Sequence, residues 1–301
     1  MSSQNVVAII TTCNRCELLR RCIACLQVQQ GANCDILVID NDSRDGTAEY
    51  LRTQHDVKVY HMAENIGGAG GFYTGIKLAY ESGYERFWLM DDDVMPAPDA
   101  LARLLAADEQ LQGAFGFLYS EVRWIDGSIC KMNEPKPSSR RTATADLVPL
   151  QQASFVSILL PATTVAKVGF PIPEFFIWGD DVEYTRRIAV RAGLPCYWVR
   201  DSHVTHMTSK NVGSSIALDM PERIERYVYA YRNERYLYRL EGWKGIAYYW
   251  LKCALNFSRI LIFGQSFKKR RLHALLCGIR KGKTFNPEVR WPDECRRKKR
   301  V

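Results

Sequence analysis

Four short apolar runs, at residues 6–10, 35–39, 57–61 and 86–90, alternate with helical patterns at 17–29, 46–54 and 72–82, and this alternation constrains the fold more than any other feature of the chain. Strands that alternate with helices predict a parallel, doubly wound α/β sheet. Ligands of such sheets bind outside the carboxyl ends of the strands. Every polar cluster of the first hundred residues falls at such an end: Thr11-Thr12-Cys13-Asn14-Arg15 after the first run, Asp40-Asn41-Asp42 after the second, Asn65 to Gly71 after the third and Asp91-Asp92-Asp93 after the fourth. One polar turn is ordinary, whereas four on one edge predict a site.

Three consecutive carboxylates repel one another and hold their protons unless a cation neutralises them. In an extended segment Asp91 and Asp93 point the same way, which suits Mg²⁺ or Mn²⁺ bridging a substrate diphosphate. The competing reading is a helix cap or acidic turn before Pro96. The glycines of Asn65-Ile66-Gly67-Gly68-Ala69-Gly70-Gly71 allow close backbone approach, with N–H groups free to face a phosphate or sugar; a flexible surface turn is the alternative. Asp180 and Asp181 fall at the start of a predicted helix that runs to Ala192. They are caps, or one is the base that takes a proton from an attacking hydroxyl. His203 and His206 lie in a stretch too polar to be expected as a central strand, and either is a candidate for a metal or phosphate. Residues 113–176 are irregular, with a surface loop expected at 133–141.

The ten cysteines are scattered. Cys13/Cys16 and Cys22/Cys25 superficially suggest zinc, but the pairs are too close together and three of the four fall in a predicted helix, so thiols are expected. No signal peptide is expected, and a reducing, cytoplasmic compartment fits. The net charge is +8, yet residues 240–301 alone carry +12. That block suits nucleic acid, an anionic membrane surface or a solvated face. Residues 246–263 are apolar around most of a helix, with Lys252, Asn256 and Arg259 forming one polar stripe; the charges argue against a membrane span. An interfacial helix followed by Lys268-Lys269-Arg270-Arg271 suits an anionic leaflet, and packing on the catalytic domain or a second subunit is the alternative. Arg296-Arg297-Lys298-Lys299-Arg300 is expected to be disordered.

Read in order, Thr11 to Arg15, Val38-Ile39-Asp40-Asn41-Asp42-Ser43, Asn65 to Gly71, Met90 to Val94 and Trp178-Gly179-Asp180-Asp181-Val182-Glu183-Tyr184 resemble glycosyltransferase family 2, in particular its bacterial galactofuranosyltransferases. The resemblance spans about residues 5–240. It implies a GT-A fold, a Rossmann-like mixed sheet flanked by helices, over residues 1–240, with a nucleotide-sugar half to about 110 and an acceptor half beyond. Residues 241–301 would form a basic helical region contacting membrane or a subunit. A UDP-sugar donor would meet Thr11, Thr12, Asn14, Arg15, Asp40, Asn65, Gly67, Gly68 and Asp92. Mn²⁺ or Mg²⁺ would sit on Asp91, Asp93 and His206, with His203 in reserve. Asp181 would be the base, with Trp178, Asp180 and Glu183 at the acceptor. Tyr231-Arg232-Asn233 resembles a further family element of unassigned role, where Arg232 could meet phosphate.

The implied activity is inverting transfer of galactofuranose from UDP-galactofuranose to a saccharide carried on polyprenyl diphosphate. It would serve O-antigen or capsule synthesis at the cytoplasmic face of the inner membrane or in the cytoplasm, with a homo-oligomer possible. The rivals are a rhamnosyltransferase using a dTDP sugar and, in another class, a nucleic-acid-binding protein. The latter leaves the acidic strand ends unexplained.

Overall fold

The computed structural model describes residues 5–140, 142–144, 146–264 and 266–293. The basic run at 296–300 lies outside them, as does Arg141 at the end of the expected loop.

The first half folds as the alternation predicts. Strands β1 (Val6–Thr12), β2 (Asp35–Asp40), β3 (Val57–His61) and β4 (Arg86–Asp91) form a parallel set, β1 lying between β2 and β4 and β3 on the far side of β2. Helices α1 (Cys16–Gln27), α2 (Thr47–Arg52) and α3 (Gly67–Glu81) connect them. β1 is buried along its whole length, which is why it reads as a continuous apolar run rather than an alternating one. The register aligns Thr12 with Asp40 and Thr11 with Asp91, so the ends of three strands present their polar groups at one level.

The second half turns the sheet mixed. After the short β5 (Val94–Pro96) and helix α4 (Ala100–Gln110) come β6 (Phe117–Trp124), β7 (Lys136–Pro137), β8 (Leu147–Gln152) and β9 (Ile158–Pro161). Helices α5 (Ala162–Val168) and α6 (Asp180–Arg186) precede the long β10 (Cys196–His206). The strand order is β3-β2-β1-β4-β9-β6-β10-β8-β7, with β5 paired to β10. β9 runs antiparallel to both β4 and β6, while β10 is parallel to β6 and antiparallel to β5 and β8.

Two expectations are corrected here. Residues 200–206 belong to a strand well inside the sheet, although they are polar. β10 bulges between Val199 and His203, and its polar C-terminal end lines the acidic cluster rather than the apolar core. The glycine-rich segment is no flexible turn: α3 begins at Gly67, and its glycines let the helix lie close. Gly67 has φ +76°, and a Cβ there would fall 2.0 Å from the Phe176 carbonyl oxygen; one at Gly71 would lie 2.7 Å from Thr11 Cγ2.

Helices α7 (Tyr227–Arg239), α8 (Gly242–Phe263) and α9 (Lys268–Gly282) pack around a second core of Tyr231, Tyr249, Cys253, Ile260 and Leu275. Beyond α9 the chain returns to the catalytic layer. Phe285 packs edge-on against Phe175 and Tyr236, the Arg290 carbonyl accepts from Phe170 N–H, and Arg290 pairs with Glu174. Among the described residues no helix is long and apolar enough to cross a membrane.

Candidate active site

Asp91, at the end of β4, and Asp92 and Asp93, in the turn that follows, meet β10 because β5 pairs back on it. The Asp93 carbonyl accepts from Met207 N–H at 2.8 Å, which pins the acidic turn to the end of β10. His206 thereby places Nε2 3.0 Å from Asp93 Oδ1 across 113 residues of sequence. One ligand atom from each of Asp91, Asp93 and His206 lies within 4.8 Å of the others, a grouping of donors able to hold a metal ion. His203 is not part of it; its ring lies 3.6 Å from Glu121.

Asn133 was read only as the start of a surface loop, yet it is buried and its Oδ1 lies 2.7 Å from His206 Nδ1. That acceptor fixes the proton on Nδ1 and leaves Nε2 facing the carboxylates, the arrangement a metal-ligating histidine needs. Nothing in the sequence marked this asparagine among its neighbours.

The cluster is held together by cations. Arg15, in the loop after β1, donates to Asp93 Oδ2 at 2.6 Å and to Asp92 Oδ1 at 3.3 Å. Thr12 Oγ1 donates to the other Asp92 oxygen at 2.8 Å. Burial and the neighbouring Asp93 push Asp91 up to about 7, and burial lifts Asp92 to about 6 against the pull of Arg15. Burial would raise Asp93 too, but hydrogen bonds and charge from His206 and Arg15 hold it below the usual carboxylate range. His206 is the mirror case: burial disfavours its charged form, yet the bond to Asp93 and the surrounding carboxylates push it up to about 10. The site is built for positive charge.

The edge formed by β1 and β2 is equally organised. The buried Asp40 accepts from Ser43 N–H and lies 2.9 Å from His61 Nδ1. Asn14, at φ 55°, accepts from Arg44 N–H. Asn41 accepts from Ile66 N–H and donates to the Gly67 carbonyl, tying this edge to the start of α3. Asn65 reaches Cys13 Sγ and caps Gly67 N–H, while Ala69 N–H donates to the Phe176 carbonyl. The N–H groups of Gly67 and Ala69, expected to face a ligand, are thus committed to the protein, while a Cβ at Gly68 would meet nothing within 4 Å.

Asp180 and Asp181 open α6. The preceding segment is contorted, with positive φ at Phe176, Trp178 and Gly179. It is held by Asn233 of α7, which is buried and whose Nδ2 donates to the carbonyls of Phe175, Ile177 and Trp178 at 2.9, 3.1 and 2.8 Å. Arg232 donates to the carbonyls of Glu174 and Phe175 and stacks on Tyr229 and Phe285. A phosphate contact for Arg232 is therefore replaced by a structural role, and Asn233 gains one the sequence did not assign. Glu183, expected near the acceptor, gives both carboxylate oxygens to Arg187 and Arg191 and anchors α6. Asp180 and Asp181 keep theirs clear of ion pairs among the described residues. Burial raises Asp180 well above the usual range and pushes Asp181 up to about 6, the latter eased by the N–H of Val182.

A mixed sheet with an acidic turn able to hold a metal after its fourth strand and a carboxylate pair at the start of α6 has the arrangement of the GT-A fold of glycosyltransferases. The fold is shared with GalNAc-T7, solved with UDP, GalNAc and Mn²⁺: TM-score 0.63 at 15% identity, covering 91% of this chain but only 55% of that one, so the chain spans about half its length. Residues 7–121 match the model of Glycosyl transferase family 2. The chain is also 28% identical to galactofuranosyltransferase GlfT1 of Mycolicibacterium smegmatis over 79% of this chain and 84% of the relative. It has the same identity to GlfT1 of Mycobacterium tuberculosis over 83% and 88%. Over residues 7–121 the chain thus carries the pattern of glycosyltransferase family 2.

Proposed function

We propose that the chain transfers galactofuranose, with inversion, from UDP-galactofuranose to a hydroxyl of a saccharide acceptor carried on polyprenyl diphosphate, in bacterial surface-polysaccharide synthesis. The observation that carries the catalytic part is the convergence of Asp91, Asp93 and His206 beside Arg15 and Thr12. Two carboxylates and an imidazole oriented through its other nitrogen fit Mn²⁺ or Mg²⁺. Bound there, the ion would neutralise charge growing on the UDP leaving group.

The chain's own residues do the rest. Asp181 takes the proton of the acceptor hydroxyl as its oxygen attacks the anomeric carbon and the bond to UDP breaks. Asp180, whose carboxyl burial and the neighbouring Asp181 push up, binds a neighbouring acceptor hydroxyl. Thr11, Thr12, Asn14, Asp40 and Asn65 line the nucleotide edge, and Arg15 exchanges its carboxylates for the diphosphate. The likeness to GlfT1 supports galactofuranose as the sugar.

Helix α8 supports the lipid-carried acceptor and a place at the cytoplasmic membrane face. Trp243 is 77% and Ile262 70% exposed, with Leu251, Leu255 and Phe263 also outside, and Lys268, Lys269 and Arg270 follow at the start of α9. An apolar face bordered by basic residues suits an anionic leaflet.

Incubation with UDP-galactofuranose, Mn²⁺ and synthetic lipid-linked acceptors should yield a galactofuranosylated product whose linkage NMR identifies. Thermal stabilisation by dTDP but not UDP would redirect the reading to a deoxythymidine-linked donor. Flotation with phosphatidylglycerol vesicles, lost at high salt, checks the membrane contact.

A further inference from the structure

The segment 207–220, which leads from His206 towards α7, is held firmly by its backbone while its apolar side chains face solvent. Met207 N–H is bonded to the Asp93 carbonyl, and Asn211 is bonded to Ser128, Ile129 and Lys131. The carbonyls of Ile216 and Asp219 accept from Arg271 of α9 at 2.5 and 2.8 Å. Yet Leu218 is 72% exposed, and Val212 and Met220 are exposed with it.

Arg271 itself is buried, and a buried guanidinium is stable only when its donors are met. Its Nε donates to the Ser266 carbonyl at 3.0 Å, so one side chain ties the segment to the turn between α8 and α9. Around that turn Ile262, Phe263 and Phe267 are exposed. Phe267 takes left-handed backbone, φ 59°, which is unusual for a bulky residue. Two stretches of chain, joined at one guanidinium, thus carry a shared apolar patch. Single exposed apolar residues need no explanation, whereas a group of them marks a contact surface.

The charges beside the patch select its partner. Lys268, Lys269 and Arg270 are exposed at its border, and Arg270 pairs with Glu225. A second copy of the chain seated on the same patch would set these cations against their equivalents. Apolar side chains edged by lysine and arginine match the boundary between anionic headgroups and acyl chains.

The patch is also connected to the site. Asp219 accepts from the Tyr227 hydroxyl at 2.9 Å and pairs with Arg223, whose guanidinium lies 5.6 Å from the centre of the Trp178 ring, just before Asp180 and Asp181. The other end of the segment is fastened to the acidic turn through Met207.

We propose that segment 207–220 enters an anionic bilayer together with the α8–α9 turn, so that the membrane holds the mouth of the active site as well as α8. The proposal rests on the reading of α8 as a membrane contact and extends it to the segment that follows His206. A lipid-carried acceptor would then meet the site at the bilayer surface.

The test uses the full chain with vesicles of phosphatidylcholine and phosphatidylglycerol in equal parts. Amide hydrogen exchange across 212–220 should slow about tenfold when the vesicles are added. Leu218→Ser combined with Met220→Ser should weaken partitioning in a flotation assay about tenfold. Should the double variant fail to fold by circular dichroism, exchange in the wild-type chain decides. A wild-type chain that floats with unchanged exchange across 212–220, or a folded double variant that partitions as the wild type does, overturns the proposal and leaves α8 as the membrane contact. A wild-type chain that does not float removes the membrane reading of α8 as well.

Discussion

As the proposed base, Asp181 has to be ionised to accept a proton, and burial opposes ionisation, pushing it up to about 6. Since the active form is the deprotonated one, kcat/KM should be flat above that value and fall about tenfold per pH unit below it. Asp181→Asn keeps the shape without the proton acceptor, and transfer should drop about 10²- to 10⁴-fold while stabilisation by Mn²⁺ and UDP persists. Retained transfer would place the base elsewhere. Asn133 acts one bond further out. Asn133→Ala leaves His206 without the partner that fixes its proton, and Mn²⁺ affinity in a thermal-shift titration should weaken about 10- to 100-fold. Unchanged affinity would remove His206 from the ligand set.

Among the elements, α7 governs the catalytic loop although it carries none of the reacting groups. Asn233→Leu, similar in size, removes the bonds to three carbonyls and strands those of Ile177 and Trp178, so a loss of about 3 kcal/mol is expected in urea unfolding, with a lower kcat. A change in stability without one in kcat would separate the loop from catalysis. The same elements show what the chain reveals before folding. β1, β2 and β4 were legible because strands covered on both faces are nearly continuous apolar runs, while β3, more exposed, was legible from its place in the alternation. The start of α3 was hidden because glycine reads as a turn, whereas Gly67 and Gly71 are there for close contact with Phe176 and Thr11. β10 escaped recognition because its polar residues have polar partners inside the sheet: Ser202 bonds Ser120 and the Ala100 carbonyl, and His206 meets Asp93. His206 was reached through family resemblance, and Asn133 had no local signal, since its importance arises only when the turn after β6 folds under β10.

For the molecule as a whole, residue 240, where a boundary was expected, lies in the turn between α7 and α8, and the helices on both sides of it share the second core. Helix α8 buries Gly245, Tyr249, Cys253 and Ile260 in the second core and leaves Trp243, Leu251, Leu255, Ile262 and Phe263 exposed. The final described residues complete the lock: Phe285 rests on Phe175, Arg290 pairs with Glu174, and Val289 and Trp291 crowd Gly169. A chain ended after Lys283 should keep its strand content by circular dichroism yet lose at least about tenfold in turnover. During translation, the nucleotide edge, the acidic turn and the base all emerge from the ribosome before the strap that fastens them.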